Sequence, residues 1–297
     1  MEIKVGGHYK LLKKIDSGSF GEIYKGLNTK NNTEVAVKLE NLMSKYPQLL
    51  MEAKIMQHLL NDSTVADKGI PQVYHTATEG EFNLMVMELL GPSLESLFNQ
   101  LGKRFTLKTT LMLADRMIRR VEYVHSKGFV HRDIKPDNFL IGAGTKSNRL
   151  YLIDFGLSKR YLVNGKHIKY EEGKSLTGTA RYASLNTHLG IEPTRRDDME
   201  SIFFCMAYFL LGILPWQNLK AETKEEKYKR IMEKKMEYRP ELLCKNLAPE
   251  LLQMLQHIRT LRYDEKPNYD LLRNLIKECM NHNNIENNNY FDWDKLE

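Results

Sequence analysis

Between residues 131 and 156 the chain reads His131-Arg132-Asp133-Ile134-Lys135-Pro136-Asp137-Asn138, then a strand-like run, then Asp154-Phe155-Gly156. Two polar loops in this order, at this spacing and with a strand between them, constrain the chain more than any other stretch. The combination implies phosphoryl transfer to a hydroxyl. Asp133 has the chemistry to accept the hydroxyl proton, and Lys135 to neutralise the transferring group. Asn138 and Asp154 offer two hard oxygen ligands for magnesium, an ion that shares its coordination between such oxygens and nucleotide phosphates. A polar loop beside an unrelated turn is the plain alternative, and two ordered matches argue against it.

Upstream, Ile15-Asp16-Ser17-Gly18-Ser19-Phe20-Gly21-Glu22-Ile23 lies between two alternating segments and reads as strand, turn and strand. Gly18 and Gly21 leave room for close backbone approach to phosphates. Alone this is an ordinary hairpin turn; Val35-Ala36-Val37-Lys38 gives it context, an apolar strand ending in a cation suited to the α and β phosphates. Glu52 follows 14 residues later on the apolar stripe of a helix predicted over 47–60. Residue order and helical placement favour it over the nearer Glu40 as the partner of Lys38, with a mainly geometric value for the pair.

Residues 9–40 read as three strands and 70–88 as two more. Helical patterns then dominate, at 94–101, 107–127, 197–212, 223–235, 249–261 and 269–281. The 61–68 stretch is polar and reads as an extended loop. Cys205, Cys244 and Cys279 are widely spaced, without metal or redox motifs, and read as reduced thiols. The N-terminus lacks a long apolar region, and the run from Ile202 to Leu214 is too short to span a membrane. A soluble cytosolic or nuclear protein is expected. No myristoylation glycine follows Met1, and no prenylation cysteine stands at the end. The net charge of +6 raises the question of nucleic acid. Mixed-sign stretches such as Lys220 to Lys235 predict solvated helix faces rather than a phosphate-tracking stripe, so no nucleic-acid partner is expected.

From about Tyr9 to Phe291-Asp292-Trp293 the chain resembles a eukaryotic protein kinase domain and, within it, casein kinase I. The family resemblance rests on Leu176-Thr177-Gly178-Thr179-Ala180-Arg181-Tyr182-Ala183 leading to Ser184-Leu185-Asn186, where most kinases have Ala-Pro-Glu. It extends through Asn186 to Glu192, Arg195-Arg196-Asp197-Asp198-Met199-Glu200-Ser201 and Met87-Glu88-Leu89-Leu90-Gly91-Pro92-Ser93-Leu94-Glu95. It implies an α+β, bilobal protein kinase fold with a small β-rich N-lobe (about 1–88), a hinge (88–92) and a larger, mostly α-helical C-lobe (93–297), the kinase domain spanning 9–280.

The resemblance also implies site roles. Lys38, Glu52, Asp133 and Lys135 would be catalytic, and Asn138 and Asp154 would hold magnesium. ATP would lie against Ile15, Gly18, Ser19, Phe20, Gly21, Ile23, Ala36, Lys38, Met87, Glu88, Leu90 and Leu140. Lys174, Arg181 and Lys227 would take a phosphate or acidic cluster on a protein substrate upstream of its acceptor serine or threonine. Pairing of Arg181 with internal acids is the plainer alternative. Thr179 would bond around Asp133 and Lys135, and Asp198 would hold the catalytic-loop backbone; His131 is read as packed rather than as an acid or base.

Departures from the family pattern are Asp16 at the first glycine of the nucleotide loop, expected to point outward because it precedes the loop tip and side chains alternate along a strand; Thr223-Lys224-Glu225-Glu226-Lys227, less basic than usual; and Asn218 in place of a glycine. The expectation is therefore a monomeric serine/threonine kinase using MgATP on acidic or pre-phosphorylated proteins. The alternatives are a catalytically weak nucleotide-binding scaffold, or a kinase of the tau-tubulin or vaccinia-related branch.

Overall fold

The structure is a computed structural model and describes residues 3–18 and 21–295. In chain order, β1 (Lys4–Val5), β2 (Tyr9–Gly18), β3 (Gly21–Asn28) and β4 (Thr33–Asn41) precede α1 (Leu49–Leu60), β5 (Val73–Glu79) and β6 (Phe82–Glu88). Next come α2 (Leu94–Gln100), α3 (Leu107–Ser126), β7 (Phe129–Val130), β8 (Phe139–Ile141), β9 (Leu150–Leu152), β10 (Lys159–Arg160), β11 (Leu162–Val163) and β12 (Lys166–His167). The chain continues through α4 (Leu185–His188), α5 (Arg195–Leu211), α6 (Lys224–Glu237), α7 (Pro240–Leu243), α8 (Pro249–Thr260) and α9 (Tyr269–His282). These elements group into two compact units: residues up to Pro92 with Phe139–Leu157, and Ser93–Asn138 with the chain from Ser158 onward.

The first unit is built on a six-stranded sheet in the order β1-β2-β3-β4-β6-β5, each neighbouring pair antiparallel. The two-residue repeat of β4 sorts its side chains. Val35, Val37 and Leu39 join Val5, Tyr9, Leu84 and Val86 in one apolar cluster. Ala36, Lys38 and Glu40 therefore share the other face, opposite Met87, Met85 and Asn83 of β6. Helix α1 begins at a residue whose side chain does not cap it. Glu40 supplies the cap instead, its carboxylate accepting the N–H groups of Gln48 (2.7 Å) and Leu49 (3.2 Å).

Residues 139–157 fall in the first unit, whereas the sequence reading ran the second lobe from 93 onward. The reason is hydrogen bonding: Gly91 N–H donates to the Ile141 carbonyl (2.9 Å), Ile141 N–H to that of Pro92 (3.1 Å), and Leu152 N–H to that of Gly69 (2.8 Å). Register shifts in β2 between Leu11 and Lys13 and between Lys14 and Asp16 interrupt the alternation expected to turn Asp16 outward. Asp16 is exposed nonetheless, its carboxylate accepting the N–H of Ser17 at 2.7 Å.

The second unit is helical. Ser93, Thr106 and Thr223 cap α2, α3 and α6 by accepting the N–H three residues on. Helix α5 starts where the Asp197 carboxylate accepts the Thr194 N–H at 2.7 Å and ends at Gly212, φ 82°. Its residues from Asp197 to Phe209 are all buried, packed by α3 and α8.

The mixed charges of Lys220 to Lys235 do not make a wholly solvated face. Ile231 and Lys235, four residues apart on α6, both turn inward, and Lys235 is 0% exposed. Cys205, Cys244 and Cys279 are buried and unpaired. Among the described residues no helix is long and apolar enough to cross a membrane.

Candidate active site

In the first unit the site is built around Lys38. Cross-strand register places Ile23 and Met85 opposite Lys38, and Met87 opposite Ala36, so all five residues share one sheet face. The Lys38 ammonium lies 2.7 Å from Glu52 Oε2 and 3.7 Å from Asp154 Oδ1. Glu40, the nearer acid in sequence, is committed to the α1 cap. Burial alone would lower the Lys38 pKa, but Glu52 and Asp154 hold it above its ordinary value. Burial pushes the Glu52 carboxyl up, against the opposing charge of Lys38. Asp154 sits at φ 65°, a left-handed conformation that a non-glycine residue holds only when its surroundings impose it.

The turn between β2 and β3 pairs Gly18 with Gly21. At Gly21, φ is 120° and a Cβ would stand 2.0 Å from the Leu39 carbonyl oxygen, so no other residue fits. Ser19 and Phe20, proposed as nucleotide contacts, lie outside the described residues. Ile15 sits at the second register shift of β2 and is exposed. Met87 is buried, and Glu88, Leu90 and Leu140 are half-buried. Glu88 is fixed through backbone and side chain: its N–H donates to the Gln72 carbonyl (2.8 Å), and its carboxylate accepts the Gln72 N–H (3.2 Å) and pairs with Lys146.

In the second unit the loop from His131 to Asn138 hangs from Asp198. One oxygen of this buried carboxylate accepts the His131 N–H (2.8 Å) and the other the Arg132 N–H (3.0 Å); His125 Nε2 lies 2.8 Å away. These bonds hold Arg132 at φ 69°. Burial would raise the Asp198 carboxyl, but the His125 bond, the nearby histidine charges and the loop N–H hold it below its usual value.

Asp133 is the centre of this group. Its Oδ1 accepts the N–H (2.9 Å) and hydroxyl (2.8 Å) of Thr179, and its Oδ2 lies 2.8 Å from the Lys135 ammonium. Asn138 Nδ2 donates to the Asp133 carbonyl at 2.9 Å, which leaves the amide oxygen as the atom free to bind a cation. Lys135 also donates to the Thr179 hydroxyl at 3.3 Å. The close approach of Gly178, where a Cβ would meet the Arg132 carbonyl oxygen at 2.3 Å, brings Thr179 within reach. Among the described residues no three His, Cys, Asp or Glu gather around a metal position. Asn138 and Asp154 are hard oxygen donors of the kind that bind magnesium when phosphates complete its shell.

The three cations assigned to a substrate anion differ in their surroundings. Lys174 pairs with Glu171 and lies 3.9 Å from Glu192. Arg181 is half-buried, its guanidinium 5.7 Å from the Tyr182 ring centre and 5.6 Å from that of Tyr208. Lys227 is exposed on α6. Neither Arg181 nor Lys227 has a carboxylate within ion-pair distance among the described residues. Asn218 stands at φ 58°, a conformation asparagine tolerates in place of glycine.

Sequence reasoning missed a second cluster. Glu192, 4% exposed, receives Arg132 at 3.0 Å and Lys159 at 2.9 Å, besides the more distant Lys174. No local pattern joins residues 132, 159 and 192; only tertiary folding does. Lys235 was missed as well, although its position four residues after Ile231 on an apolar stripe was a signal for it. A family model described as the protein kinase domain matches residues 9–285, nearly the whole chain. The chain belongs to that family: it is a protein kinase with the bilobal fold, an antiparallel sheet in the N-lobe and a helical C-lobe.

Proposed function

We propose that this protein is a serine/threonine kinase of the casein kinase I type, transferring the γ-phosphoryl group of MgATP to proteins whose acceptor follows an acidic or phosphorylated residue. The observation that carries the reading is the fixing of Asp133 by Thr179 and Lys135 through opposite carboxylate oxygens. A carboxylate so oriented accepts the proton of an incoming hydroxyl. Lys135 offsets the charge on the group in flight, and Lys38, held by Glu52, positions the α and β phosphates. Asn138 and Asp154 would hold magnesium, which would supply charge neutralisation for the nucleotide phosphates.

The preference for an upstream anion is supported by Arg181 and Lys227, two cations without a carboxylate partner among the described residues. Lys174, already engaged by Glu171, contributes less to it. The test is radiolabelled transfer from MgATP to two peptides that differ only in a phosphoserine three residues before the acceptor serine. Faster turnover of the phosphorylated peptide, lost in Arg181→Ala and abolished for both peptides in Asp133→Asn, is the expected result. Equal turnover of the two peptides would remove the anion preference and leave the kinase.

A further inference from the structure

A lysine with no exposed surface is costly unless its amine is fully satisfied. Lys235 is 0% exposed and pairs with no carboxylate among the described residues. Its amine goes instead to one short turn. It donates to the carbonyl of Ala180 at 2.8 Å and to that of Ala183, and lies 3.2 Å from His188 Nε2. The rings of Phe204 and Trp216 wall it in, with centres at 4.9 and 5.2 Å. Trp216 adds a third anchor, its indole N–H donating to the Arg181 carbonyl at 2.8 Å.

Three of the four carbonyls from Ala180 to Ala183 are thus pinned from α6 and Trp216. The same turn is tied to the catalytic group at its other end. The N–H groups of Tyr182 and Ala183 both donate to the Thr179 carbonyl, at 2.9 and 3.0 Å, and Thr179 bonds Asp133 directly. Because this turn follows directly on Thr179, it stands beside the position that the proposed function gives to a substrate hydroxyl at Asp133, and it also carries Arg181.

We infer that Lys235, aided by Trp216, is a positioning residue for substrate: it fixes the height and tilt of the Ala180–Ala183 turn relative to Asp133, and so sets how tightly the peptide flanking the acceptor is held. It touches neither ATP nor the reacting atoms. The inference rests on the protein-kinase reading of the site and is independent of the preference for an upstream anion.

Steady-state kinetics of Lys235→Met and Trp216→Phe, with peptide and ATP varied in turn, test it. Lys235→Met keeps the apolar stem and removes the amine; Trp216→Phe keeps a ring and removes the single N–H. The expected result is a peptide KM raised about tenfold in the first variant and about threefold in the second, with kcat and the KM for ATP moving less than about twofold. Amide hydrogen exchange at Tyr182 and Ala183 rises in both variants, a change that general loss of stability would spread over α5 as well.

Unchanged peptide KM in both variants, or a fall in kcat with peptide KM constant, overturns the inference. If Lys235→Met fails to fold, Trp216→Phe decides between the same two outcomes. Wild-type turnover that ignores the phosphoserine sinks the anion preference alone, because the KM comparison uses the unphosphorylated peptide.

Discussion

Thr179 meets Asp133 twice through a single oxygen: its N–H and its hydroxyl both donate to Oδ1, at 2.9 and 2.8 Å. With Oδ1 so occupied, Oδ2 faces Lys135 at 2.8 Å and Asn138 Nδ2 at 3.4 Å, and it is the oxygen that the proposed function gives to an incoming hydroxyl. Thr179→Val keeps the N–H bond and the branched shape but loses the hydroxyl, which also accepts from Lys135. The expected outcome is a kcat lower by about tenfold, with a stability loss of about 1 kcal/mol in denaturant unfolding. A variant with wild-type kcat would show that the N–H bond alone orients the carboxylate.

Among the described residues Glu52 pairs with Lys38, at 2.7 Å, and both groups are buried. Glu52→Gln preserves size and leaves Lys38 with the weaker contact to Asp154 at 3.7 Å. The ammonium should then drift from the position the phosphates require. We expect kcat/KM for ATP to fall between about tenfold and a hundredfold, a loss of placement rather than of chemistry. Titration of initial rate against ATP measures it, and an unchanged value would mean that Asp154 alone suffices.

Glu192 collects Arg132, the residue next to Asp133, together with Lys159 of β10. Its replacement removes the carboxylate that pairs with the half-buried Arg132 guanidinium at 3.0 Å. Loss of a partly buried pair of this kind costs about 1 to 2 kcal/mol. Glu192→Gln is therefore expected to lower the unfolding free energy by about that amount and, on the proposed function, to reduce kcat, since the loop that carries Asp133 loses one of its supports. Equal stability of variant and wild type in urea would show that Lys159 and Arg132 find other partners.

How much of this was legible in the sequence depends on the range of the interaction. Lys38, Asp133, Asn138 and Asp154 stand in short motifs whose order carries the proposed chemistry, and the strands and long helices around them follow two- and 3.6-residue repeats. The pairing of Lys38 with Glu52 rather than Glu40 was readable because helical placement favoured Glu52. The true role of Glu40, capping α1 from a neighbouring strand, was not: α1 lacks a capping side chain of its own, and nothing local says which carboxylate substitutes. Lys235 misled for a different reason. Composition treats a lysine in a mixed-charge run as solvated, and only the carbonyls of a distant turn make its burial tolerable. The irregular register of β2 likewise left no trace in its alternation, so of the two reasons for expecting Asp16 outward, strand alternation does not hold in β2.

His188 gives a pH dependence whose sign follows from its place. Burial, and then the charge of neighbouring Lys235, lower its pKa to about 3 from an ordinary 6.5. In the unfolded chain the imidazole gains a proton below about pH 6.5, while in the folded chain it stays neutral until about pH 3. Its contribution to stability is therefore complete above pH 6.5 and is lost progressively as the pH falls toward 3. Between pH 7 and pH 4 the loss amounts to about 3 kcal/mol as an upper bound, since a compact unfolded chain shifts its own groups as well. His188→Phe removes the titration and keeps an aromatic ring, at the cost of the contacts to Ala180 and Lys235. Urea unfolding of both proteins at pH 7 and pH 4 isolates the effect: the variant is less stable at pH 7, and the gap narrows by up to about 3 kcal/mol at pH 4. A gap that stays constant would mean that His188 is protonated in the folded chain at the same pH as in the unfolded one, and that the ring is not sealed between the turn and Lys235.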